Sequence, residues 1–228
     1  MTQIPIYISI VFALTTLFTI GVFYRAANQS KLTLIILVSW LILQFIIGTT
    51  GFYTITEGIP PRFLLLILPP FIFIGVLFST TKGRLFIDGL NLRILTMLHI
   101  VRIPVELVLY GLYVYKAVPE LMTYEGRNYD ILSGLTAPII YYLGFVKKLI
   151  NKRILLIWNF ICLGLLFNIV IHAVLSAPFP FQQLAFDQPN IAVLHAPFNW
   201  LPSCIVPLVF FSHLASIRLL FNNKGNAF

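Results

Sequence analysis

Seven stretches of the chain run almost unbroken through apolar residues, and short polar or basic connections separate them. They cover residues 4–24, 32–52, 63–80, 92–115, 129–146, 154–176 and 201–222. A helix rises about 1.5 Å per residue, so about 20 apolar residues cross a hydrocarbon core of roughly 30 Å. Each run is therefore expected to be a membrane-spanning helix, the whole 1–228 forming one all-α membrane domain. The fifth run is short and carries Gly134, Pro138 and, near its start, Asp130. The first could be mistaken for a signal peptide, but no basic residue precedes it, and it is expected to be retained.

Composition narrows the class. Of 228 residues, 59% are hydrophobic and 10% charged, with a mean hydropathy of +0.95. Soluble domains carry about 25% charged residues. Such apolarity also excludes disorder, and outer-membrane barrels alternate rather than run unbroken.

The basic residues set an orientation. With the N-terminus outside, the inner connections hold Arg25, Lys31, Lys82, Arg84, Arg93, Lys147, Lys148, Lys152, Arg153, Arg218 and Lys224. The outer side holds Arg62, Lys116 and Arg127, and Arg102 falls inside a run. Lys and Arg favour cytoplasmic flanks, so the C-terminus is expected to be cytoplasmic. The net charge of +8 thus reads as topology rather than as a nucleic-acid footprint. The short connections suggest a bacterial inner (plasma) membrane, where the lipid bilayer is the expected partner. Oligomeric state is not legible.

Ionisable groups inside a membrane are costly and usually face the bundle interior. The fourth run holds His99, Arg102 and Glu106 at offsets of three and four, which places them on one helix face. Arg102 and Glu106 are expected to pair along that face, and Pro104 to kink it. By rise per residue Gln44, Asn168 and His213 fall at the same depth. The expected ligand-binding layer is therefore Arg102, Glu106, His99, Gln44, Asn168 and His213.

Two outer loops are long, 116–128 and 177–200. With the flanking residues they contribute Glu125, Arg127, Asp130, His172, Asp187 and His195 as further candidates. The aromatic-rich 177–200 loop is expected to lie on the membrane surface or to fold over the bundle as a lid. His172, Asp187 and His195 have the chemistry of zinc ligands, but no HExxH or CxxC spacing joins them, so no metal and no cofactor is expected. Cys162 and Cys204 differ in depth by roughly 15 Å, too far for a disulfide. The seventh run has no lysine to hold retinal.

The reading is a membrane protein with a polar intramembrane site open to the outside, binding or transporting a small polar or anionic solute and leaning away from catalysis. Two alternatives are a membrane-embedded enzyme on lipid or isoprenoid substrates and a scaffold subunit of a membrane complex.

Overall fold

The computed structural model describes residues 4–58 and 60–222, so Lys224 and the segment before the first run lie outside the described residues. Among the described residues the protein is all-helical, with no strand. The long helices are α1 (Ile6–Ala26), α2 (Lys31–Thr49), α3 (Leu64–Ser79), α4 (Thr81–Asp88), α5 (Leu92–Leu98), α6 (Arg102–Val114), α7 (Ile131–Tyr141), α8 (Lys152–Leu175) and α9 (Val206–Phe221). Each apolar run contains helix. Among the described residues four stretches are long and apolar enough to cross a membrane: α1, α2, α8 and Leu201–Phe221. A fifth is added if α3 and α4, bent by 91° at their junction, count as one broken span.

The interruptions have local causes. Pro104 has no N–H for the carbonyl of Ile100, and the fourth run breaks there into α5, the tight turn His99–Val101 and α6. In the fifth run α7 contains Pro138 and gives way to a π-helical turn, Tyr142–Val146. A second π-helical turn, Leu201–Ile205, precedes α9, whose Pro207 leaves the Ser203 carbonyl without its usual helical donor. Pro69 and Pro70 lie inside α3, which continues through them to Ser79. The eight-residue α4, read in the sequence as part of a connection, begins where the Thr80 hydroxyl accepts from Gly83 N–H at 3.1 Å.

Burial divides the helices by role. α9 is the most enclosed, with ten of its sixteen residues buried, and it packs against α3, α4, α5 and α8. α1 lies along α5 and α6. Only Leu41, Gln44 and Gly48 are buried in α2, which stands at the edge of the bundle. Large apolar side chains such as Ile6, Leu32, Ile72 and Ile161 are more than half exposed. An apolar belt of that extent is out of place on a soluble monomer and fits a membrane protein.

Arg218 near the end of α9 donates from Nε to Asp88 of α4 at 2.9 Å, and its Nη2 reaches the second carboxylate oxygen at 3.2 Å. This bidentate pair fixes α4 after the 91° bend.

Candidate functional site

Charged side chains meet where α5, α6, α7, α8 and α9 converge. Arg102 opens α6 and is 3% exposed. Its Nη1 donates to the carboxylate of Asp130, the residue before α7, and, at 3.4 Å, to the Cys162 carbonyl on α8. Its Nη2 lies 2.9 Å from His213 Nε2 on α9. A guanidinium only donates, so His213 Nε2 accepts and the proton sits on Nδ1. Nδ1–H in turn donates to Asn159 Oδ1 at 2.9 Å, and the Asn159 amide donates to the Leu155 carbonyl. His213 is thereby held neutral in one tautomer.

The network extends through Asn128. Its Oδ1 accepts from Asp130 N–H at 3.1 Å, which orients the amide. Its Nδ2 donates to Glu106 Oε1 and, at 3.0 Å, to the Met122 carbonyl. One continuous path therefore runs from Asn159 through His213, Arg102, Asp130 and Asn128 to Glu106. His99 caps it sideways: it is fully buried, stacked on His213 at 3.8 Å between ring centroids, with Trp158 edge-on at 5.5 Å. Neither ring nitrogen of His99 has a hydrogen-bond partner among the described residues.

The sequence expectation that Arg102 pairs with Glu106 is corrected by this geometry. Both lie on one face of α6, but the carboxylate that meets the guanidinium comes from Asp130, 28 residues away. Gly134 permits it: a Cβ there would sit 2.9 Å from Ile103 Cγ1 and 3.1 Å from Ile103 N, so α7 approaches α6 as only glycine allows. Glu106 faces Asn128, and its Oε2 has no partner among the described residues. The positive charge of Arg102 is matched inside the protein. It is not a free cation awaiting an anion.

A cavity of about 80 Å³ adjoins this cluster. Its polar lining residues are Arg102, Glu106, Asp130 and Asn190, and the remainder is apolar, supplied by α3 with the preceding Phe63, α6, α8, the first half of the seventh run, Met122 of the 116–128 loop and Val193 of the 177–200 loop. The space exceeds what one water needs, about 10–15 Å³.

The 177–200 loop folds into the bundle, the lid alternative of the sequence reading. Gln188 donates to the carbonyls of Tyr113 (3.0 Å) and Val118 (2.6 Å), and the backbone N–H groups of Ile191 and Ala192 both donate to Ala117. Phe198 packs on Phe12 of α1 at 5.3 Å between ring centroids. Asn199 donates to the Gln44 carbonyl at 2.6 Å, and Trp200 to the Leu41 carbonyl at 3.0 Å. These bonds satisfy backbone groups that an apolar setting would otherwise penalise.

The remaining candidates do not join the cluster. Gln44 is buried, but its side-chain oxygen accepts from Tyr53 at 2.6 Å and it does not line the cavity. Asn168 donates to the Arg127 carbonyl at 2.7 Å, and His172 Nδ1 lies 2.8 Å from the Asn168 carbonyl. The side chains of Glu125, Arg127 and Asp187 are exposed. His195 is half-buried in the lid, and burial lowers its pKa. Among the described residues no group of three or more His, Cys, Asp or Glu side chains is placed to hold a metal ion. Cys162 and Cys204 are both buried free thiols. Sequence reasoning missed Asn128 and Asn159, the two amides that orient the charged groups.

A family model described as a domain of unknown function, DUF8737, matches residues 59–221. The chain belongs to the DUF8737 family. The DUF8737 segment contains the whole network from His99 to His213 and the lid, and leaves α1 and α2 outside the match. No curated protein and no solved structure matches the chain.

Proposed function

We propose that this DUF8737 protein crosses the membrane seven times, with the N-terminus outside, and binds or moves a small solute in the cavity beside Arg102 and Glu106. The orientation rests on the basic residues of the short connections. A reporter active only in the cytoplasm is expected to give signal when fused after Phe228 and none when inserted in the 177–200 loop. The reverse pattern would invert the topology.

The observation that carries the binding reading is Glu106 Oε2, a buried carboxylate oxygen without a partner among the described residues, on a residue that lines the cavity. Buried polar atoms are almost always satisfied, and the exceptions call for a functional account. Arg102 Nε and Asn190 Oδ1, on residues that line the same cavity, are likewise buried without a partner among the described residues, so a ligand there would meet a carboxylate oxygen, a guanidinium N–H and an amide oxygen, and the apolar walls suit a ligand whose body is largely apolar. This departs from the sequence reading of a polar or anionic solute held by the charge of Arg102, because that charge is matched by Asp130.

Val193 reports on access, because it belongs to the lid and lines the cavity while only 4% exposed. With Cys162 and Cys204 replaced by serine, Val193→Cys should react with a membrane-impermeant thiol reagent added outside. Labelling from the cytoplasmic side alone, or none from either side, would reject an outward-opening pocket.

A further inference from the structure

A second, larger space lies on another face of the bundle, between the first half of α2 and the helices α3 and α9. It measures about 790 Å³, and its walls include Leu37, Phe73, Leu77 and Phe211, with Ser30, Thr80 and Lys82 at one end. Among the described residues, the side-chain hydrogen bonds that tie α2 to the last run meet it from Trp40 to Gln44. Trp40 donates from Nε1 to the Ser203 carbonyl at 2.8 Å, and the bonds from Trp200 and Asn199 arrive at Leu41 and Gln44. Ser203 can accept from Trp40 because Pro207, four residues on, cannot occupy its carbonyl.

We propose that this slot holds one acyl chain of an anionic phospholipid, with the lipid phosphate on Lys82. Three observations select that occupant. The slot is apolar and sits at the lipid-facing edge, where hydrocarbon fills it at no cost to polar groups. Its depth falls short of a whole bilayer: the stretch of α2 that lines it, from Ser30 to Leu43, is about 20 Å by helix rise, against a roughly 30 Å core. A partner's spanning helix would need the full thickness. The charge at the mouth is also available. Asp88 is engaged by Arg218, Arg84 donates to the Ser79 carbonyl at 3.0 Å, and Lys82 has no carboxylate partner among the described residues.

Native mass spectrometry of the full chain in detergent tests this directly, with phosphatidylglycerol and phosphatidylcholine of identical chains added in turn. One basic side chain near a membrane surface favours anionic lipid by about fivefold, so a single phosphatidylglycerol adduct should exceed the phosphatidylcholine adduct by that factor. Lys82→Glu should abolish the preference, and Lys148→Glu, an equal charge change outside the slot, should keep it. Ser39 is exposed and lines the slot, so Ser39→Trp should remove both adducts without loss of helical circular dichroism. Equal adducts in the unaltered chain, a preference that survives Lys82→Glu, its loss in Lys148→Glu, adducts that persist in Ser39→Trp, or a dimer in place of lipid adducts would each overturn the proposal.

Discussion

Asp130→Ala is expected to cost about 3–5 kcal/mol of stability, because it leaves a buried guanidinium with no counter-charge. Arg102 would retain only His213 Nε2 and the Cys162 carbonyl, both uncharged acceptors. Thermal or denaturant unfolding in detergent measures the loss. Arg102→Ala should be damaging for the mirror-image reason, since it strands the Asp130 carboxylate. The double variant should lose less than the sum of the two, as neither charge is then left alone. The same cycle between Arg102 and Glu106 should show a far smaller coupling. Additive losses for Arg102 and Asp130 would mean that their contact contributes nothing.

Gly126→Ala is expected to cost about 1–3 kcal/mol, the usual range for a side chain forced into filled space. A Cβ at Gly126 would lie 2.2 Å from the Glu120 carbonyl oxygen and 2.7 Å from its carbon, both backbone atoms that cannot rotate away. The turn would have to open, and it is the turn in which Thr123 accepts from the N–H groups of Gly126 (3.0 Å) and Asn128 (3.2 Å). Asn128 would then lose its hold on Glu106. The loss should therefore be accompanied by altered labelling of Val193→Cys. Gly164→Ala is the control, for nothing lies within 4 Å of its Cβ position, and a helix-interior alanine there should be neutral or stabilising. Equal melting temperatures for the two variants would contradict the tight turn.

What the sequence revealed and what it hid follow from the range of the interactions. Hydropathy marks where helices form because it depends on the local run of side chains, so α1, α2, α3 and α8 fall within a few residues of their apolar runs. The shared face of Arg102 and Glu106 on α6 was legible for the same reason, since helical periodicity is local, whereas His99 lies before α6 in the tight turn His99–Val101. Depth also placed His213 level with Arg102, and the two side chains meet. It misled for Gln44 and Asn168, since a residue's level says nothing about the direction it faces. The partnership of Arg102 with Asp130 was not legible, because it depends on how α7 docks on α6 through Gly134. The roles of Asn128 and Asn159 were hidden more deeply, since an amide carries no charge or spacing that marks it beforehand.

The tethers of α2 carry a consequence for synthesis. Trp40, Leu41 and Gln44 wait for Ser203, Trp200 and Asn199, more than 150 residues further along the chain. At about 5–20 residues per second, the second helix leaves the ribosome many seconds before its hydrogen-bond partners exist. During that interval its second half has α1 and the nearby Phe52–Thr54 turn as protein company, and its orientation stays provisional. The 177–200 loop adds Asn190 and Val193 to the cavity wall and, in the same act, locks the helix made near the beginning.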